Sequence, residues 1–172
     1  MVPGYDPFKT AGDCVFDRQA GLDALAFFEE CLTLTGSGCG APFIPENWQA
    51  AIIVNAFGWL RPDGSRRYRE VFIYIPRKNG KTEMAAGFAV KLFVADGEKV
   101  SRVHCAAAER NQAGQVWRAA RTMMNAEPVL ASRIKCYQHS IVSIDPETGG
   151  GYMKPISAEA KTKHGENLHG II

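Results

Sequence analysis

Apolar residues recur every three or four positions in four segments of the chain, which is the spacing of one helix face. The four predicted helices cover residues 17–32, 45–57, 81–95 and 109–125. Pro45 suits the first turn of the second helix, because an amide hydrogen has no partner within the helix at that position and proline lacks one. Gly36 and Gly38 indicate that the first helix ends before them and that a loop begins.

Between and after these helices, short runs of residues predict strands, and the first run consists of the β-branched and aromatic side chains that strands favour. The runs cover residues 71–75, 102–107, 134–137, 141–144 and 152–156. The first run is apolar throughout, which predicts a strand buried on both faces, as in a parallel sheet. Three glycines at 149–151 predict a hairpin between the last two strands.

Strands that alternate with helices predict an α/β fold with a mainly parallel sheet flanked by helices. We divide the chain into an N-terminal arm and helix, residues 1–44, and a partial α/β domain, residues 45–172. The last five residues resemble the start of another strand and end on Ile171 and Ile172. Because natural termini are usually polar and exposed, this ending suggests a fragment of a longer protein.

The turn between the apolar run 71–75 and the helix from Lys81 has the composition of a phosphate-binding loop. Gly80 lets the backbone close around phosphate oxygens, Lys81 supplies positive charge, and Thr82 supplies a hydroxyl for Mg²⁺. A helix that starts here also directs its positive end toward an anion. These features predict a P-loop NTPase core that binds ATP with Mg²⁺.

The loop departs from the usual G-x-x-x-x-G-K-[ST] pattern in its first position, where Ile75 replaces glycine. Gly-Lys-Thr alone also occurs in surface turns that bind nothing. We favour nucleotide binding because the tripeptide lies between an apolar run and an amphipathic helix. Another P-loop enzyme, helicase-like or a small-molecule kinase, and a non-catalytic remnant both stay open as alternatives.

Composition and charge narrow the chemistry further. The net charge of +2 is too small to indicate nucleic-acid binding by the whole surface, so any DNA contact requires a local patch. Five cysteines without a Cys-x-x-Cys pair indicate reduced thiols rather than a zinc site or a disulfide framework. The longest apolar run is too short to span a bilayer, so no membrane partner is expected.

Several stretches together resemble the large subunit of tailed-phage DNA-packaging terminases. They are Trp48-Gln49, Phe57-Gly58-Trp59, residues 71–82 with Pro76-Arg77-Lys78-Asn79-Gly80-Lys81-Thr82, residues 106–113, residues 157–161, and His164-Gly165. The resemblance concerns the motor ATPase half of that family, whose phosphate loop contains an arginine where other loops have small residues. It extends from about Trp48 to the end of the chain.

The resemblance implies roles for individual residues. Lys81 matches the phosphate-loop lysine, and Arg77 matches a basic residue thought to act on the γ-phosphate as an arginine finger in cis. Both are therefore our catalytic candidates, although Lys78 is an alternative to Arg77 as the finger. Gln49 matches a position that holds adenine, with a solvent-facing helix residue as the alternative. The nucleotide-binding set implied is Gln49, Arg77, Lys78, Asn79, Gly80, Lys81 and Thr82, with Thr82 also as the Mg²⁺ ligand.

The resemblance also implies what the intact protein does. It would hydrolyse ATP to translocate double-stranded DNA into a procapsid in the cytoplasm of the bacterial host. Its partners would be the portal protein, the small terminase subunit and other copies of itself in a ring. The family's acidic ATPase residues and its nuclease domain would follow Ile172. For the 172-residue chain we therefore expect nucleotide binding with very slow hydrolysis or none.

Basic side chains outside the loop are weaker candidates for contact with DNA phosphates. Arg118 and Arg121 fall on the polar side of a predicted helix, where a solvated face is the commoner explanation. Lys91 and Arg110 are further weak candidates for contact with DNA phosphates. Asp145 and Glu147 flank Pro146 near a glycine-rich turn, and we interpret them as turn chemistry rather than as a carboxylate pair.

Overall fold

A computed structural model describes residues 6–36, 38–107, 110–146, 149–157 and 167–172. The helices are α1 (Arg18–Cys31), α2 (Asn47–Gly58), α3 (Lys81–Val94), α4 (Arg110–Ala126) and α5 (Pro128–Ser132). The strands are β1 (Val15–Phe16), β2 (Trp59–Leu60), β3 (Arg102–Ala107), β4 (Ile134–Cys136), β5 (Ile141–Ser143), β6 (Tyr152–Ser157) and β7 (Gly170–Ile171). The helices and strands form two compact units. The first combines Met1–Cys31 with Phe43–Pro76, and the second combines Leu32–Pro42 with Arg77–Ile172.

The first unit is built on the packing of α1 against α2. Gly21 permits a close approach of the helices, since a Cβ there would lie 3.0 Å from the Val54 side chain. Phe28 in α1 and Ile53 in α2 are fully buried. Strands β1 and β2 pair antiparallel beside the helices and place Trp59, which is 1% exposed, in an aromatic cluster.

The second unit is a five-stranded sheet with the order β4-β5-β6-β3-β7, on which α3 and α4 pack. Strand β3 pairs in parallel with both β6 and β7, whereas β4, β5 and β6 form antiparallel pairs, so the sheet is mixed. The core is filled by side chains from both layers that are under 2% exposed. They include Met84, Val90, Met123, Ile141 and Met153.

Most of the predicted elements are confirmed, and so is the α/β class with helices on a sheet. The hairpin between β5 and β6 forms as expected, with Gly150 at a φ of +91°. The second helix begins at Asn47 rather than Pro45, because Glu46 is extended and serves as the N-cap. The predicted start of the fourth helix at residue 109 lies outside the described residues. Three short elements, β1, β2 and α5, were not predicted from the sequence.

The strand predicted at residues 71–75 is wrong. These residues form no strand in the structure, and Phe72 and Tyr74 are 91% and 90% exposed. A strand completes its backbone hydrogen bonds only with a neighbouring strand, and none of the described strands pairs with this segment. High β-propensity without a pairing partner therefore did not produce a strand.

None of the helices in the described ranges is long and apolar enough to cross a membrane. The domain boundary between residues 44 and 45 stays a prediction. The two compact units divide the chain differently, since the first continues from Phe43 to Pro76.

Candidate phosphate-binding site

The phosphate loop ends where α3 begins, and its sequence explains the transition. Gly80 is the N-cap of α3 and adopts the left-handed conformation, with φ +68° and ψ +17°. Glycine takes this conformation without the steric cost that a Cβ would impose. The Gly80 carbonyl accepts a 3.0 Å hydrogen bond from the Met84 amide, and the helix then buries Met84, Ala86 and Ala89.

Lys78 is a second left-handed residue in the same turn, with a φ of +66°. Non-glycine residues seldom adopt positive φ, and such residues concentrate at functional sites. Between the two, the Asn79 side-chain amide donates a 3.3 Å hydrogen bond to the Arg77 carbonyl. Left-handed residues in tight turns are components of the concave backbone nests that bind anions. The loop thus has the backbone character that a phosphate site requires.

The charged side chains within residues 77–82 are all cationic. Arg77, Lys78 and Lys81 are all exposed, and Thr82 is half-buried in the first turn of α3. The N-terminus of a helix adds a partial positive charge of about half an elementary unit to these side chains. The structure therefore brings Arg77, Lys78, Asn79, Gly80, Lys81 and Thr82 together as one cationic loop at a helix N-terminus.

Glu83, the residue after Thr82, was not singled out in the sequence. Its carboxylate accepts two hydrogen bonds from Thr35, one from the backbone amide at 3.1 Å and one from the hydroxyl at 2.7 Å. Thr35 lies 48 positions earlier in the chain, so no local spacing indicates the contact. Only the tertiary structure reveals that an acidic side chain next to the phosphate loop is held by a remote threonine.

Gln49 lies in the first compact unit and is 6% exposed, so it is not the solvent-facing residue that the alternative supposed. It occupies the third position of α2, where its side-chain oxygen accepts a 2.8 Å hydrogen bond from the Glu46 amide. Together with the Glu46 side chain this makes a reciprocal capping box. Gln49 thus has a structural role at the start of α2, and its role at adenine stays a prediction.

The other basic candidates have local contacts. Lys91 donates a hydrogen bond to the Ala95 carbonyl at the end of α3, and Arg121 lies 5.6 Å from the Trp117 ring centre. The Arg118 guanidinium folds back over Gly114. The side chain of Arg110 is outside what the structure describes. Asp145 forms a 3.5 Å ion pair with Arg133, consistent with its interpretation as a turn residue.

Cys105 on β3 is the cysteine with a strongly perturbed environment. It is fully buried, and burial raises the pKa of its thiol to about 12. A thiol with so high a pKa is neither a nucleophile nor a metal ligand near neutral pH. Among the described residues, no group of three or more histidine, cysteine, aspartate or glutamate side chains is arranged to hold a metal ion.

A sheet flanked by helices, with a Gly-Lys-Thr turn opening one of them, defines the class of P-loop α/β domains. The family model described as "Terminase large subunit, ATPase domain" matches residues 47–172, which is well over half of the chain. The chain therefore belongs to the terminase large subunit ATPase family.

A solved structure supports this assignment. The HK97 bacteriophage large terminase matches with a TM-score of 0.71 and 26% sequence identity, over 86% of this chain. The match covers 29% of the HK97 protein, so the present chain spans less than a third of that relative's length. No curated protein sequence matches the chain.

Proposed function

We propose that residues 77–82 bind the phosphates of ATP and that the chain is part of the motor ATPase of a terminase large subunit. The observation that supports this most is the left-handed Gly80 N-cap, followed at once by Lys81 and Thr82 in the first turn of α3. This arrangement presents backbone amides, a cation and a hydroxyl at one helix N-terminus. A surface turn needs none of these in combination.

Within this site, Lys81 contacts the β- and γ-phosphates, and the Thr82 hydroxyl holds Mg²⁺. The residues present fit a magnesium nucleotide, since the loop offers a hydroxyl ligand beside three exposed cations. Bound Mg²⁺ supplies positive charge that offsets the charge of the β- and γ-phosphates. Asn79 and Gly80 contribute backbone amides, and the Asn79 side chain supports the turn through its hydrogen bond to Arg77.

Arg77 is proposed as the residue that stabilises charge on the γ-phosphate during transfer. Its guanidinium is exposed beside the loop, and guanidinium groups match phosphate oxygens in geometry as well as charge. Lys78 is assigned to binding, because its left-handed backbone shapes the loop. Loss of the Arg77 side chain is therefore expected to slow hydrolysis in the full-length protein more than it weakens nucleotide binding.

Gln49 is proposed to contact the adenine base through its side-chain nitrogen. Its oxygen is already bonded to the Glu46 amide, which fixes the orientation of the side-chain amide. A fixed amide is better suited to reading a base than one that rotates freely, because less conformational entropy is lost on binding.

For the longer protein, we propose that ATP hydrolysis drives double-stranded DNA into a procapsid. The family assignment supports this function over a helicase-like enzyme or a small-molecule kinase. The proposed partners are DNA, the portal protein, the small terminase subunit and further copies of the same protein. The proposed location is the cytoplasm of the bacterial host, with transient docking on the procapsid.

A titration of the 172-residue chain with a fluorescent ADP analogue and Mg²⁺ tests the binding claim. Lys81→Ala is expected to weaken binding at least about tenfold, since it removes a charge-assisted contact worth about 1.5–3 kcal/mol. Lys99→Ala is the matched control, because Lys99 is an exposed lysine in the same unit but outside the loop. Equal affinity of the wild type and Lys81→Ala would indicate a non-catalytic remnant instead.

A further inference from the structure

Two helices of this protein begin in different ways, although each has an N-cap followed three positions later by a side chain that can accept hydrogen bonds. In α2 that third residue is Gln49, and its side chain folds back to accept from the N-cap amide of Glu46. In α3 the third residue is Glu83, and both oxygens of its carboxylate are bonded to Thr35 instead. The same helix position is therefore used locally in α2 and is engaged by a remote residue in α3.

This difference matters because α3 starts at the proposed phosphate site. A glutamate three positions after the N-cap normally reaches back to the backbone amide of the N-cap residue, which in α3 is Gly80. That amide and its neighbours, together with the positive end of the helix dipole, are what an anionic phosphate needs. A carboxylate that folded back would occupy the donors and add repulsive negative charge beside Lys81 and Thr82.

Thr35 belongs to a hairpin-like loop whose own hydrogen bonds define its shape. The Leu34 amide donates to the Ala41 carbonyl at 2.8 Å, and the Gly40 amide donates to the Leu34 carbonyl at 2.9 Å. Leu32, at the start of this loop, is 1% exposed and anchors it in the core. Gly36 allows the loop to approach Glu83 closely, since a Cβ there would lie 3.2 Å from a carboxylate oxygen.

We propose that Thr35 is a positioning residue for nucleotide binding, which holds the Glu83 carboxylate away from the amides that bind phosphate. This inference rests on the proposed function of the loop. It assigns residues 32–42 a role in the nucleotide site, because their contact with α3 keeps the phosphate donors available. Thr35 itself is not proposed to contact phosphate.

The test is a double-mutant cycle read out by titration with a fluorescent ADP analogue and Mg²⁺. Thr35→Val removes the hydroxyl bond but keeps the acidic side chain, and we expect affinity to fall about three- to tenfold. Adding Glu83→Ala removes the competing carboxylate, so Thr35→Val/Glu83→Ala is expected to bind within about twofold of the wild type. Thr33→Val is the matched control, because Thr33 lies in the same loop and forms a backbone bridge with Pro42.

The outcomes separate the two claims. If Thr35→Val binds like the wild type, or if the double variant is as weak as Thr35→Val, then the positioning role is wrong. A purely structural role for Thr35 predicts the second of these results, since removing the charge would not restore a distorted loop. If wild-type affinity is already equal to that of Lys81→Ala, the proposed phosphate site is what fails.

Amide hydrogen exchange gives a readout that needs no nucleotide. Alanine offers no acceptor in place of the carboxylate, so Glu83→Ala is expected to speed exchange of the Thr35 amide about tenfold. The Leu34 amide, which is bonded within the loop, is expected to change much less. Unchanged exchange at Thr35 would contradict the contact on which the proposal depends.

Discussion

The segment before the phosphate loop and the helix after it are both strongly apolar, yet only the helix forms a regular element. Three of residues 71–75 are exposed, with Phe72 and Tyr74 about nine-tenths accessible. In α3, by contrast, Met84, Ala89 and Val90 are buried. A helix completes its hydrogen bonds within its own segment, whereas a strand depends on a second segment of chain. Local sequence is therefore a safer guide to α3 than to a strand.

Phenylalanine occurs both in α3 and in residues 71–75, and its substitution by alanine tests the difference between the two segments. Phe93 in α3 is 4% exposed, and Phe93→Ala is expected to lower the free energy of unfolding by about 3–5 kcal/mol, because it removes buried surface and leaves a cavity. Urea denaturation of the 172-residue chain measures this change. A loss below about 1 kcal/mol would mean that α3 is not packed as described.

The junction between the two regions depends on the backbone of Gly80. Gly80→Ala is expected to cost about 1–2 kcal/mol, since an alanine Cβ disfavours a φ of +68°. It is also expected to weaken binding of the ADP analogue, because the loop can no longer hold its shape. Denaturation and nucleotide titration measure the two effects separately.

Gly64→Ala is the control for that experiment, since Gly64 also has a positive φ, +80°, and lies in a turn outside the loop. It is expected to show a similar loss of stability with unchanged nucleotide affinity. If both variants weakened binding alike, general destabilisation rather than loop shape would explain the result.

Cys105 provides a contrast with residues 71–75, because β3 does have partners on both sides and is buried. The thiol has a pKa of about 12 in the folded chain against 9.0 for an ordinary cysteine. The unfolded chain therefore loses this proton at lower pH, so the contribution of Cys105 to stability is complete below pH 9 and is lost as pH rises toward 12. The slope in this window is about 1.4 kcal/mol per pH unit.

Denaturation of the wild type and Cys105→Ala between pH 8.5 and pH 10.5, chosen to cover roughly the first part of that window, checks this prediction. The wild type is expected to lose stability more steeply than the variant. Parallel curves would indicate that Cys105 is accessible to solvent and that β3 is less well covered than the structure shows.

The smallest change in the free energy of unfolding is expected in residues 71–75, before the loop. Phe72→Ala is expected to change the free energy of unfolding by no more than about 0.5 kcal/mol, because the ring is 91% exposed. Urea denaturation alongside Phe93→Ala makes the test a direct one. A loss of about 3 kcal/mol at Phe72 would restore the buried strand that the sequence predicts.

Elements with local signals were predictable, whereas pairings between distant residues mostly were not. The helical spacing of α1, α3 and α4 gave their limits to within about two residues. The antiparallel pairing of β4 with β5 was not foreseen, because alternation of strands and helices suggests parallel neighbours without fixing each pair. The two-residue strands β1 and β2 are shorter than any periodicity can reveal.

The same distinction holds for the candidate site. Gly80, Lys81 and Thr82 are adjacent in sequence, and together with the apolar run before them and the amphipathic helix after them they predicted the loop. The contact of Glu83 with Thr35 joins residues 48 positions apart, and the left-handed backbone of Lys78 follows from no residue preference. Sequence therefore predicts the groups that would touch phosphate and not those that keep them in position.

Amide hydrogen exchange with and without ATP and Mg²⁺ tests most directly whether residues 77–82 bind phosphate, because it reports on the segments before and after the loop at once. We predict slower exchange for residues 77–84, whose amides would face the bound phosphates or lie in the first turn of α3, and unchanged exchange for residues 71–75. We also predict that Lys81→Ala abolishes the protection. Protection that is absent in the wild type, or that is equal on both sides of the loop, would contradict the phosphate site.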